Sequence, residues 1–143
     1  MKFSYIITIL GLLNASSTDA QNKQEPYLSV KLEITRAIER GNTYLQSQQN
    51  KDGFWGDAKY PAYTALALTA AMRSPSYQKV AYIDRAYTWL TNQQKDDGGI
   101  YGKGLGTYNT ATSIVALVSA DDPSFHPIIL KARRFLINQP TDW

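Results

Sequence analysis

An internal repeat is the feature that most constrains the fold of this chain. Residues 40–55 and 85–100 are identical or share an aromatic side chain at eight of sixteen positions, at a constant offset of 45. A third copy begins at Lys131, at an offset of 46. A period of this size is typical of arrays whose unit is a helical hairpin. The repeat therefore predicts two and a half hairpins over residues 29–143.

Two kinds of helix alternate within each repeat. Apolar residues of the first kind recur every three or four positions between charged residues, as at Val30, Ile34 and Ile38, which is typical of a helix with one buried face. Residues 63–72 and 110–120 contain no charge and many Ala, Ser and Thr, which predicts helices enclosed on all sides. Asn109 is predicted to cap the second of these. No segment alternates like a strand, so the predicted class is all-α.

The first twenty residues have the layout of a secretory signal peptide. A positive start precedes an apolar stretch at residues 3–13, and small residues lead to a small-x-small cleavage site ending at Ala20. The stretch is shorter than the roughly 20 residues that cross a bilayer, so no transmembrane segment is expected. We expect residues 1–20 to be cleaved, residues 21–28 to be a linker, and the protein to be secreted or periplasmic.

The amino-acid composition excludes several kinds of functional site. The 143 residues include no Cys, which excludes disulfides, thiolate zinc sites and a cysteine nucleophile. A lone histidine, His126, has no ligand partner nearby, so no metal is expected. The glycines of residues 98–106 join helix to helix rather than strand to helix, so no nucleotide cofactor is expected. The net charge of +3 is small and clusters only at residues 131–134, so no nucleic acid is expected as a partner.

Typed residues at fixed spacing make up the repeat motif: Arg40, Gly41, Tyr44, Leu45, Gln49, Gly53 and Trp55, with Gln94 and Gly98 in the second copy. This pattern resembles the repeat signature of squalene and oxidosqualene cyclases. The second copy departs from it by Ala86 and Ile100, and the third by Pro140. The resemblance implies an α/α toroid, a fold shared with protein prenyltransferases, here as an incomplete ring. It also implies structural roles for the motif, with the glutamine bridging a helix end to its neighbour and the tryptophan packing over it.

Residues that carry cyclase chemistry are missing from the sequence. The chain has neither the Asp-x-Asp-Asp run of squalene-type cyclases nor the Asp-Asp-x-x-Asp run of ionising terpene synthases, so no catalytic residue is expected in this segment. Aromatic rings stabilise carbocations through their negative faces. The candidates for lining a hydrophobic chamber are Tyr60, Tyr63, Tyr101 and Tyr108, with Asn109 as a polar contact. The alternative is that these rings pack between repeats.

These observations favour an exported repeat protein that resembles squalene cyclases and prenyltransferases. Its expected partners are a hydrophobic small molecule and further repeats of the same chain, because two and a half hairpins do not close a ring. One alternative is a terpene cyclase or isomerase whose acid motif lies downstream. Another is a secreted toroid that acts as a polysaccharide lyase or hydrolase. A thioester-type adhesion toroid needs a cysteine and is excluded within this segment.

Overall fold

The computed structural model describes residues 27–75, 77 and 80–140. The proposed signal peptide and all but the last two residues of the proposed linker lie outside these residues. Five α-helices and one short 3-10 helix follow one another: α1 Leu28–Gln48, α2 Ala62–Met72, α3 Ala81–Thr91, α4 Gly106–Ser119, the 3-10 helix Pro123–Phe125 and α5 His126–Ile137. No strand forms in the described part of the chain, where Gln94 and Ile100 make an isolated antiparallel bridge. The predicted all-α class is confirmed.

The uncharged helices α2 and α4 form the centre of the structure and pack against each other more extensively than any other pair of helices described. Their facing residues are small or aliphatic, and Ala65, Leu68, Ala116 and Leu117 are fully buried. The charged helix α3 packs on α2, and α5 packs on α4. The Tyr87 hydroxyl donates a hydrogen bond to the Ala116 carbonyl oxygen at 2.9 Å, which joins α3 to the end of α4, and burial raises the pKa of this phenol.

The start of α4 differs from the sequence prediction. The helix begins at Gly106 and follows Gly104 and Leu105, which both have left-handed backbone conformations with φ of 69° and 48°. Asn109 therefore lies inside the first turn, and its prediction as the N-cap is wrong. A left-handed leucine is uncommon, so the sequence pattern carried no signal for this earlier start.

Helix α1 is less covered than its amphipathic pattern predicts. None of its residues is fully buried, although Leu45 packs against the core. Val30 and Ile34 of the predicted apolar face are 47% and 52% exposed. The charged helices α3 and α5 each pack on the uncharged helix that precedes them, whereas no uncharged helix precedes α1 among the described residues. None of the described helices is long and apolar enough to cross a membrane.

Candidate functional site

The first Gln–Gly turn (residues 49–55) joins the end of α1 to the start of α3. The Gln49 side-chain nitrogen donates to the Gly53 carbonyl at 3.0 Å and to the Tyr82 carbonyl, in the first turn of α3, at 2.7 Å. The Gln49 side-chain oxygen accepts from the Arg85 guanidinium at 2.9 Å. A glutamine amide offers both donors and acceptors, so one side chain fixes the turn and the next charged helix together.

Gly53 is required by this contact. Its φ is +98°, and a Cβ atom there would lie 2.7 Å from the Arg85 carbonyl oxygen. Glycine alone adopts such a conformation readily and leaves room for the neighbouring backbone. The turn can therefore approach α3 only with glycine at this position.

Trp55 holds the other side of the first turn. Its indole nitrogen donates to the Leu45 carbonyl at 2.7 Å, one of the last four carbonyls of α1, which have no partner within the helix. Its backbone nitrogen donates to the Thr64 hydroxyl of α2 at 3.1 Å. The buried indole thus packs over the turn and ties it to the end of α1.

The second Gln–Gly turn (residues 94–100) repeats this geometry. Gln94 donates to the carbonyls of Gly98 at 3.0 Å and Ile128 at 2.9 Å. Gly98 has φ of +89°, and a Cβ atom there would lie 2.6 Å from the Lys131 carbonyl oxygen. Ile100, in the place of Trp55, is fully buried and lacks an indole donor. The second turn therefore keeps the glutamine bridge and loses the tryptophan hydrogen bond.

Two buried threonines support the turns, and sequence reasoning gave them no role. Thr64 and Thr110 are fully buried in α2 and α4. The Thr110 hydroxyl accepts from the Ile100 backbone nitrogen at 2.9 Å, as the Thr64 hydroxyl does from Trp55. The two threonines are 46 residues apart, at the repeat offset, and lie in helices without charge. This alignment was the sequence feature that could have indicated a shared role.

A cavity of about 380 Å³ opens between the first turns of α2 and α4. Four of the five residues predicted to line a ligand chamber are brought together there. Leu66 and Leu105 were not predicted and complete the apolar wall. The lining residues are Tyr60, Ala62, Tyr63, Leu66, Leu105, Tyr108 and Asn109. None of them is charged, so this cavity suits an apolar molecule.

Tyr101 is not among the residues that line this cavity. Its hydroxyl donates to an Asp97 carboxylate oxygen at 2.6 Å, and its ring packs against Phe135 with centroids 5.5 Å apart. The hydrogen bond to Asp97 is the main reason that the pKa of the Tyr101 phenol is raised. Tyr101 follows the second Gln–Gly turn directly, which places its ring against α5.

Asn109 lines the cavity and joins the two helices that form it. The side chain is buried, and its oxygen accepts from the Ala62 backbone nitrogen at 3.0 Å. Its nitrogen donates to the carbonyls of Gly104 at 3.1 Å and Leu105 at 3.0 Å. One amide thus ties the start of α2 to the start of α4. Among the described residues, no group of three or more His, Asp or Glu could hold a metal ion.

Similarity to a known protein covers part of the chain. The chain is similar to the drimenyl diphosphate synthase of Streptomyces showdoensis, with 40% identity over 68 residues. The match covers 45% of this chain and 13% of that relative. No protein-family model matches the chain, and no solved structure matches it. Within the 68 matched residues, the similarity supports a relation to terpene cyclases.

Replacing Asn109 by leucine should destabilise the protein. The Asn109→Leu variant removes the acceptor of the Ala62 amide and the side-chain donor to the Gly104 and Leu105 carbonyls, and we expect a loss of about 3 kcal/mol in the free energy of unfolding. Urea unfolding followed by circular dichroism measures it. Asn138→Leu, at an exposed position after α5, is the control and should change stability by less than about 0.5 kcal/mol. Equal losses would show that Asn109 does not join the two helices.

Proposed function

We propose that this chain provides helical-hairpin repeats of an exported α/α toroid of the terpene-cyclase type, and that its uncharged helices form part of the wall around a hydrophobic, isoprenoid-like ligand. The cavity between the starts of α2 and α4 carries the proposal. Three tyrosine rings and two leucines line it, and no charged side chain does. A cavity of about 380 Å³ lies within the range of roughly 300–1,000 Å³ that small-molecule sites occupy.

The chain's part in the proposed function is binding rather than proton transfer. A cyclisation begun by protonation needs an acid at the ligand, and the lining residues of the cavity include no carboxylic acid. The faces of Tyr60, Tyr63 and Tyr108 offer negative charge density to a cationic carbon. We therefore place the catalytic residues of any such reaction outside this segment.

Further repeats are part of the proposal. Charged and uncharged helices alternate in the described residues, as the layers of a toroid do. The 68 matched residues are 13% of the drimenyl diphosphate synthase, so that relative is several times longer than this chain of 143 residues. Repeats beyond these hairpins would complete the ring and close the cavity on its open side.

A second candidate function is that of a terpene cyclase or isomerase. It is favoured by the 40% sequence identity to drimenyl diphosphate synthase over 68 residues. The two candidates differ in turnover. Incubating the complete natural protein with squalene or with farnesyl diphosphate, followed by gas chromatography and mass spectrometry, separates them. Cyclic products would establish the cyclase, and binding without products would favour the non-cyclising role. No observation on the described residues favours the polysaccharide lyase or hydrolase.

A charge placed in the cavity wall should weaken ligand binding. Leu66 is 49% exposed and lines the cavity, whereas Val115 is 44% exposed on α4 and does not. With farnesol as the probe and tyrosine fluorescence as the signal, Leu66→Lys should weaken binding at least tenfold, because the ammonium group must then lie against an apolar ligand. Val115→Lys should remain within twofold of the unchanged protein. Equal effects of the two substitutions, or no farnesol binding by the complete natural protein, would contradict the proposed site.

Export predicts a defined amino terminus. If residues 1–20 are removed as a signal peptide, mass spectrometry of the protein recovered outside the cytoplasm of its producing cell should find Gln21 as the first residue. Ala20→Arg should block this cleavage because the site requires a small side chain. Protein that remains in the cytoplasm with residues 1–20 attached would contradict the proposal.

A further inference from the structure

An apolar stripe runs along the exposed side of α1. Its members are spaced alternately by four and three residues and are all exposed: Val30, Ile34, Ala37, Gly41 and Tyr44. The largest of them, Tyr44, is 64% exposed. This spacing is typical of the face with which one helix packs against another element. The part nearest the end of α1, formed by Ala37, Gly41 and Tyr44, is named the α1 seat.

The equivalent residues of α3 are covered by the turn that precedes them. At the repeat offset of 45, Tyr82, Ala86 and Trp89 match the α1 seat. Gln49 of the first Gln–Gly turn donates to the Tyr82 carbonyl, and Ala86 is fully buried. The Trp89 ring packs on Phe54 of the same turn, with centroids 4.9 Å apart.

The same arrangement recurs on α5. Ile128, Ala132 and Phe135 occupy these positions, and Gln94 of the second Gln–Gly turn donates to the Ile128 carbonyl. Ala132 is fully buried, and Phe135 packs on Tyr101, which follows this turn. The structure therefore shows twice what covers this face, and both times it is a preceding Gln–Gly turn.

On α1 the matching residues Ala37, Gly41 and Tyr44 are all exposed, although Ala37 lies in the middle of its helix and Tyr82 and Ile128 lie in the first turns of theirs. A Cβ atom on Gly41 would meet no described atom within 4 Å outside its own helix. Arg40 stands in the sequence position of Arg85, whose guanidinium donates to Gln49 and whose carbonyl lies against Gly53. The partners that a glutamine and a glycine would need are thus already on α1.

We infer that the α1 seat binds a Gln-x3-Gly turn of a further repeat of the same polypeptide, an inference that rests on the proposed function. The glutamine would donate to the Ala37 carbonyl and accept from Arg40. A second copy of this chain does not offer such a turn, because both of its Gln–Gly turns already hold α3 and α5. Its third copy of the motif has Pro140 in place of the glutamine.

Site-specific photo-crosslinking in the complete protein, in its producing cell, tests this inference. p-Benzoylphenylalanine replaces Ala37 in one variant and Arg36, its charged neighbour outside the stripe, in the control. We expect Ala37 to cross-link to a Gln-x3-Gly turn of the same polypeptide outside residues 27–140, as identified by mass spectrometry of the digested product. Arg36 should give no such product.

Other outcomes overturn the inference. One such outcome is a cross-link from position 37 to residues 1–26, to a second copy of the chain or to an unrelated protein. The others are equal amounts of product from positions 36 and 37, and no product from a folded variant. Gly41→Leu supplies a second test, because its side chain would fill the seat and should reduce the Ala37 product at least fivefold. Farnesol binding by the same variants separates the two proposals. If the variant with p-benzoylphenylalanine at position 37 and the natural Gly41 binds farnesol but gives no cross-link, the α1 seat is refuted and the proposed function stands.

Discussion

The amide of one glutamine side chain sets the position of each following charged helix. Gln49 reaches across its own turn to Gly53 and onto α3 at Tyr82, and Gln94 makes the matching pair of bonds to Gly98 and α5. These bonds are short and specific because a glycine lets the two backbones approach within contact distance. This approach adds a fixed contact between each turn and the following charged helix, beside the packing of α3 on α2 and of α5 on α4.

The cavity depends on the same arrangement. The turns carry the chain from a charged helix back to the start of an uncharged one, and Thr64 and Thr110 anchor each turn to that helix. The starts of α2 and α4 then lie side by side, where Asn109 joins them. The tyrosines near these starts meet around one space because the repeat places equivalent segments next to each other.

Much of the fold could be predicted from periodicity alone. The spacing of Val30, Ile34 and Ile38, and the uncharged residues 63–72 and 110–120, predicted the two kinds of helix and their alternation. These signals are readable because burial selects residue type at every turn of a helix. The family resemblance added an expected bridging role for Gln49, whose side chain donates to the Gly53 and Tyr82 carbonyls.

The rest depended on contacts distant in sequence. Asn109 bonds to a residue 47 positions away, and no local pattern distinguishes that use from a helix cap. Tyr101 resembles the other aromatic candidates in sequence, yet Asp97 and Phe135 hold it elsewhere. The exposure of the α1 stripe could not be predicted from the sequence either. An amphipathic pattern indicates that one face of a helix is to be covered, but it does not indicate which element covers that face.

The free energy of unfolding of a Gln49→Leu variant measures how much the glutamine bridge contributes to holding α3. This substitution keeps the approximate side-chain volume and removes the hydrogen bonds to Gly53, Tyr82 and Arg85, so we expect urea unfolding to show a loss of about 3 kcal/mol in the free energy of unfolding. Gln46→Leu, three residues earlier and exposed on α1, should change stability by less than about 0.5 kcal/mol. If the two variants were equally stable, the glutamine bridge would not be what holds α3 in place.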